Sequence, residues 1–242
     1  MIKKCILLAA GYGTRLQPIT NDIPKCLIEI NGKPLLEYWL ILLYKHGITH
    51  VLINTHYLSE KVIKFIKSNV IPVKVTLSYE KDLLGSLGTI IINKEFYKNE
   101  ESILVVNADN LTNLNLSKYF QFHLSHNLDS SIALINSSNP SNCGIVEMDT
   151  DGNIISFEEK PKNPKSNISN AGVYLFNTSI LNDLKIKKSF SDIGYDLLPN
   201  LIGLSRGYLI KELLIDIGSH SSLRKARSIS KVFFQSNFDF DG

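Results

Sequence analysis

Five consecutive residues near the N-terminus, Ile6-Leu7-Leu8-Ala9-Ala10, are apolar without a polar alternate. A strand with one wet face alternates. An unbroken run belongs to a strand covered on both faces, as in the inner part of a parallel sheet. Gly11-Tyr12-Gly13-Thr14-Arg15 follows at once, so the chain leaves this strand through a glycine loop. The start MIKKCILLAA superficially resembles a charged and then apolar leader. Its apolar run is short, and a buried first strand is the better reading.

The following segments alternate between strand and helix signals. Helices are expected over Pro34–Lys45, Ser59–Lys67 with Ser59 as the cap, and Ser86–Phe96. Strands are expected at Val51–Asn54, Val73–Ser78 and Ile103–Val106, the last running into Asn107-Ala108-Asp109. This spacing implies right-handed βαβ units. After a helix near Leu116–Ser125 the pattern turns more antiparallel, with strands at Ser130–Ile135, Gly144–Met148, Ile154–Glu158 and Gly172–Phe176. Asp149-Thr150-Asp151-Gly152 reads as a hairpin turn. Helices near Ser191–Leu201 and Ser219–Ile229 close the series. The expected fold class is α/β, a Rossmann-like mixed, mostly parallel sheet flanked by helices, with a smaller antiparallel subdomain. One domain is expected over 1–230, with halves at about 1–128 and 129–230, and a tail at 231–242.

The 242 residues carry 26 Lys and Arg against 23 Asp and Glu, a net charge of +3 that predicts no nucleic-acid partner. No apolar stretch approaches the length of a membrane span. Three cysteines without CxxC spacing, Cys5, Cys26 and Cys143, argue against disulfides and zinc and for a reduced, cytoplasmic chain. Cys5 and Trp39 read as core, whereas Cys26 and Cys143 sit beside motif residues and could be accessible. The six histidines show no metal-ligand spacing.

Glycines after a buried parallel strand lie where open α/β sheets bind ligands, and their backbone N–H groups can approach phosphates. Arg15 and Lys25 add cationic donors. A dinucleotide fingerprint would need glycine at Leu16, and a P-loop would need Gly-Lys-Ser/Thr; neither is present.

The segment LLAAGYGTRLQPITNDIPKCLIEINGKPLLEY resembles the signature of the sugar-phosphate nucleotidylyltransferases, or nucleotide-sugar pyrophosphorylases. The resemblance continues in order through Leu84-Gly85-Ser86-Leu87-Gly88-Thr89, Asn107-Ala108-Asp109, Phe157-Glu158-Glu159-Lys160-Pro161, Asn170-Ala171-Gly172-Val173-Tyr174 and Asp216-Ile217-Gly218. It implies the fold of the nucleotide-diphospho-sugar transferases, with a nucleotide-binding and then an acceptor-binding half. The implied reaction is in-line attack of a sugar 1-phosphate on the α-phosphorus of an NTP, with pyrophosphate leaving. The nucleophile is already anionic, so positioning, cations and Mg²⁺ should dominate and no base is required.

By the same resemblance, Arg15, Lys25 and Asp109 are the catalytic residues, and Asp109 and Asp216 hold Mg²⁺. Ala10, Gly11, Gly13, Thr14, Gly85 and Gly88 bind the nucleotide. Gly144, Glu159, Lys160, Asn170 and Gly172 bind the acceptor. Short members resembling this chain include mannose and heptose 1-phosphate guanylyltransferases, so GTP is favoured, in nucleotide-sugar supply for surface polysaccharide or other glycans. Cytidylyl or uridylyl transfer to another phosphate acceptor such as phosphocholine stays open, as does an inactive nucleotide-sugar-binding regulatory protein. A homo-oligomer also stays open. Ala108 stands where the family pattern has glycine, which narrows the approach to Asp109. The tail Phe238-Asp239-Phe240-Asp241-Gly242 resembles the nucleophile loop of a haloacid-dehalogenase-type phosphatase, so a fused or missing phosphatase domain at 231–242 stays open beside an ordinary loose terminus.

Overall fold

The structure is a computed structural model that describes residues 2–182, 184–185 and 190–229. The expected tail motif at 238–242 lies outside the described residues. The chain runs through β1 (Lys4–Leu8), α1 (Ile19–Asp22), β2 (Glu29–Ile30), β3 (Lys33–Pro34), α2 (Leu35–Lys45), β4 (His50–Thr55), α3 (Ser59–Ser68) and β5 (Lys74–Tyr79). It continues with α4 (Gly85–Ile92), α5 (Lys94–Tyr97), β6 (Ser102–Asn107), β7 (Asn110–Thr112), α6 (Leu116–Leu124), β8 (Ser130–Asn136), β9 (Gly144–Met148) and β10 (Ile154–Glu159). Then come β11 (Ile168–Asn177), α7 (Thr178–Asn182), β12 (Ser205–Leu209), β13 (Leu214–Asp216) and α8 (His220–Arg227).

β1 pairs in parallel with both β4 and β6, and β4 pairs in parallel with β5. Along β1, Cys5 and Leu7 face one core cluster with α2, α6 and α8, while Ile6 faces the other with α4. Val51 and Ile53 alternate with Leu52 in the same way, as do Leu104 and Val106 with Ile103 and Val105. Burial on both faces is the physical reason for the unbroken apolar runs. Trp39 and Cys5 lie in the core as expected.

β11 pairs antiparallel with β6 and carries the later strands into the same mixed sheet. Beyond it the sheet forks. One branch holds β8 and β12, and the other holds the β9–β10 hairpin around Asp149–Gly152. β11 starts at Ile168 rather than Gly172, and its register with β8 shifts between Asn170 and Tyr174. Gly172, at φ +70°, sits within that irregularity.

Several local expectations shift. Leu58 at φ +50° precedes α3, so Ser59 opens the helix instead of capping it. The helix expected over Ser86–Phe96 starts at Gly85 and breaks at Asn93, whose side chain bonds the Thr89 carbonyl at 2.9 Å. The segment expected as one helix over Ser191–Leu201 is a wide turn at Ile193–Leu197 followed by a tight one at Leu198–Leu201, where Pro199 removes a donor. β12 has no apolar alternation to announce it; its place is set by parallel pairing with β8.

At the other end of the sheet from the glycine loop, buried His123 bonds Ser131 through Nδ1 at 2.9 Å and Asn177 through Nε2 at 3.1 Å. Burial pushes its pKa down to about 4, aided by His126 and opposed by the Asn177 bond. The folded state therefore binds this proton less well than the unfolded chain. Stability from a neutral His123 is complete above about pH 6.5 and declines as pH falls toward 4, by up to about 3 kcal/mol. Urea denaturation at stepped pH should show this decline, and a His123→Gln variant should show a shallower slope through the same window.

Candidate active site

In a doubly wound sheet, ligands collect beyond the carboxyl ends of the strands where the chain order reverses. Here that point lies between β1 and β6. A cleft of about 230 Å³ opens there, lined by Leu8, Ala9, Gly11, Lys25, Cys26, Asn107, Ala108 and Asp109. Ala108 is buried in its wall and donates its N–H to the Leu8 carbonyl at 3.0 Å. This ties the ends of the two strands together. Cys26 lines the cleft yet is 2% exposed, and burial lifts its thiol pKa to about 12, so it is not the accessible cysteine expected.

Lys25 Nζ lies 2.5 Å from Asp109 Oδ2 and 3.4 Å from Asp216 Oδ1. The carboxylates come together because β7 and β13 pair antiparallel, with Asp216 opposite Asn110, and because Ile217 donates to the Asp109 carbonyl at 3.0 Å. Burial alone would lower the Lys25 pKa. The charges of Asp109 and Asp216 outweigh burial and the opposing Arg15 charge and hold it above its usual value. Arg15 is exposed, and its guanidinium lies beside the same corner. A methyl at Gly218 would meet Arg15 Nη2 at 2.7 Å and Asp216 Oδ1 at 2.8 Å.

No group of three or more metal-ligating side chains occurs among the described residues. Two carboxylate oxygens converging on one cation nevertheless fit a hard ion that takes its other ligands from water and phosphate, the habit of Mg²⁺.

A second cleft of about 300 Å³ shares Asn107 with the first. Its lining includes Glu159, Lys160, Asn170, Ser86, Asp192 and Tyr195. Glu159 is half-buried; burial raises its pKa, with Asp192 adding and Lys160 opposing. Gly144 and Gly194 make room for its carboxylate, since a Cβ at either would lie 2.5–2.6 Å from Oε2. Lys160 adopts φ +51° and places Nζ 3.7 Å from Glu159 Oε1 and 5.8 Å from the Tyr195 ring centre. Non-glycine residues held at such φ values carry strain and cluster at functional sites. Asn170 bonds Tyr174 Oη and accepts from the Gly172 N–H. Gly172 packs on Asn107, where a Cβ would come within 2.5 Å of Nδ2.

The expected residues thus divide. Gly11, Lys25 and Asp109 line the first cleft, with Asp216 and Arg15 at its edge. Glu159, Lys160 and Asn170 line the second, with Gly144 and Gly172 behind them. Ala10 is buried, Thr14 is exposed, and Gly13 turns the loop at φ +66° against Thr20. Gly85 and Gly88 line neither cleft. A Cβ on Gly85 would sit 2.2 Å from the Ser191 carbonyl, which accepts from the Leu87 and Gly88 N–H groups. Gly85 thus admits the Ser191 backbone, while a Cβ on Gly88 would meet Leu84 of the preceding turn at 2.8 Å.

Sequence reasoning passed over Asn107, Ser86, Asp192, Gly194 and Tyr195 as site residues. Ser86 bonds Asp192 Oδ2 and receives the Ile193 N–H, each at 2.8 Å, and so fixes the turn that carries Gly194 and Tyr195. Asn107 was legible as a polar residue closing an apolar strand. The Ser86–Asp192 contact spans 106 residues and had no local signal.

The chain matches the Nucleotidyl transferase family over residues 4–231 and belongs to it. Divalent-metal dependence is typical of that family. The chain is 33% identical over 188 residues to the mannose-1-phosphate guanylyltransferase catalytic subunit beta of Danio rerio, covering 76% of this chain and 52% of that protein. It is 32% identical over 189 residues to mannose-1-phosphate guanylyltransferase 1 of Arabidopsis thaliana, with the same coverage. It therefore spans about half the length of these relatives. The crystal structure of HddC from Yersinia pseudotuberculosis superposes with a TM-score of 0.79 at 28% identity, covering 93% of this chain and 98% of that one. Among the described residues, no helix is long and apolar enough to cross a membrane.

Gly172→Ala should force a side chain into a left-handed position and onto Asn107. An expected loss of about 1–3 kcal/mol in folding stability is checked by urea denaturation.

Proposed function

We propose that this chain transfers a nucleotidyl group from an NTP, with GTP favoured, to a sugar 1-phosphate, giving an NDP-sugar and pyrophosphate. The observation that carries the reading is the convergence of Lys25, Asp109 and Asp216 on one corner, beside a second polar cleft sharing Asn107. Such an arrangement suits a reaction whose barrier is the approach of two polyanions. The preference for GTP rests on the mannose-1-phosphate guanylyltransferases among the relatives and on the fold match to HddC complexed with GMP-PN, at 28% identity and a TM-score of 0.77.

In this reading Gly11 and Gly13 admit the phosphates, and Arg15 and Lys25 neutralise charge near the attacked phosphorus and the leaving group. Asp109 and Asp216 would hold Mg²⁺, which when bound supplies charge stabilisation at the phosphates. Glu159 and Asn170 would accept from and donate to sugar hydroxyls, and Lys160 would pair with the acceptor phosphate. The half-exposed Tyr195 ring borders this cleft. Lys160 already lies over that ring, which disfavours a quaternary ammonium acceptor there.

The test is pyrophosphate release with Mg²⁺ from GTP, CTP, UTP, dTTP and ATP against sugar 1-phosphates and phosphocholine. GTP with one sugar 1-phosphate should stand well above the other pairs. Release from no pair by the folded protein would overturn the assignment of GTP and a sugar 1-phosphate as substrates. Asp109→Ala should abolish turnover while circular dichroism still reports the folded chain, with a lower Tm because Lys25 loses its nearer carboxylate; full activity would remove the metal assignment. Arg15→Ala should cost about 3 kcal/mol of transition-state stabilisation, on the order of a hundredfold in kcat/KM. A loss confined to Tm would mark Arg15 as structural.

A further inference from the structure

The glycine loop is anchored at its two ends, and its apex depends on one side chain. At the start, the Ala9 N–H donates to Asn54 Oδ1 at 2.7 Å. At the far end, the Gly13 carbonyl accepts from Thr20 Oγ1 and from the Leu16 N–H, both at 2.9 Å. Between these anchors, the N–H groups of Ala10, Gly11 and Tyr12 make no hydrogen bond among the described residues. A Cβ at Gly11 would meet nothing within 4 Å. Donors of this kind suit phosphate, but a segment without internal bonds must be ordered before it can bind.

The tether at the apex is Tyr12. Its ring is half-exposed and packs edge-on to His56 at 5.3 Å and obliquely to Tyr57 at 5.6 Å. Its hydroxyl lies 3.0 Å from His56 Nε2, while His56 Nδ1 lies 2.8 Å from the Glu80 carbonyl oxygen. A carbonyl can only accept, so the proton of the neutral imidazole is on Nδ1. Nε2 then presents a lone pair, and Tyr12 donates to it.

Glu80 is itself fixed. Its N–H bonds the Thr55 carbonyl at 2.8 Å. Its buried carboxylate receives Asn54 Nδ2, Thr89 Oγ1 and the Leu84 N–H. Because Asn54 also holds Ala9, the start and the apex of the loop are tied to the same residue. Leu58, at φ +50°, closes the short turn that presents His56 and Tyr57.

We propose that the Tyr12 and His56 side chains are positioning residues, a latch that preorganises the N–H groups of residues 10–12 for the phosphates of the nucleotide. This rests on the nucleotidyltransferase reading. The latch acts in ground state and transition state alike, so its loss raises the KM for NTP more than it lowers kcat.

Tyr12→Phe removes one hydroxyl and keeps the ring. It is compared with His56→Ala and with the double variant, by calorimetric binding of each of GTP, CTP, UTP, dTTP and ATP with Mg²⁺ and by steady-state kinetics. The expected result is a several-fold weaker Kd and higher KM in Tyr12→Phe with unchanged Tm. The double variant should be no worse than the weaker single one, because both sever the same tether. Unchanged Kd in Tyr12→Phe, or losses that add in the double variant, would overturn the latch. Lack of binding of every NTP by the parent protein would instead overturn the nucleotidyltransferase reading.

A spectroscopic arm needs no nucleotide. Ring ¹⁵N shifts should place His56 in the Nδ1–H tautomer, with the Nε2 resonance moving in Tyr12→Phe. An Nε2–H tautomer would refute the latch whatever the chain binds.

Discussion

The site depends on the Lys25 ammonium lying within reach of two carboxylates, Asp109 at 84 residues' separation and Asp216 at 191. Each of the three is supplied by a different part of the fold. Lys25 follows the glycine loop, Asp109 follows β6, and Asp216 ends β13. Their meeting requires β1 beside β6 and β13 beside β7. Opposed charge in a partly buried corner is costly unless paired. The sheet order and the ion pairs therefore support one another. A register slip of β7 against β13 would turn Asp216 to the other face and leave Lys25 with one partner.

What the sequence made legible follows from how local each signal was. The run Ile6–Ala10 and the glycines after it identified a buried strand and its loop, because burial on both faces leaves a mark on every residue of the strand. β9 and the hairpin turn at Asp149–Gly152 were equally plain. Lys25, Asp109 and Asp216 could be grouped only through family resemblance, since nothing in their spacing foretells contact. β12 carries Ser, Arg and Gly in a five-residue strand and gave no period to read.

Glycines show why the remainder was hard to assign. A glycine reports that something approaches closely, and the approaching group is set by tertiary structure. Gly85 was expected against the nucleotide, and its missing Cβ leaves room for the Ser191 backbone, whereas a Cβ on Gly88 would meet Leu84. Gly144 and Gly172 were expected at the acceptor pocket, and they stand behind it, under Glu159 and Asn107 respectively. Gly194 received no role from sequence, yet completes the space for the Glu159 carboxylate.

The two clefts meet at Asn107, and its placement explains how their separation is held. Gly172 lacks a Cβ, so β11 can press against the Asn107 side chain at the irregularity in its pairing with β8. Two residues beyond Asp109's neighbour Ala108, Asn110 donates through Nδ2 to the Ala171 carbonyl at 3.0 Å. The segment from Asn107 to Asn110 is thereby pinned to β11 on both sides of Asp109. β11 also carries Asn170, whose side-chain oxygen accepts from the Gly172 N–H. The spacing between Asp109 and the second cleft is consequently a property of adjacent, hydrogen-bonded strands. Sites carried on strands hold their geometry better than sites carried on loops. The parts left to loops are the glycine loop and the Asp192–Tyr195 turn, and each has its own tether, Tyr12 to His56 and Ser86 to Asp192. Precision thus comes from the sheet where Asp109 and Asp216 share the Lys25 ammonium, and from single hydrogen bonds where loops carry the rest.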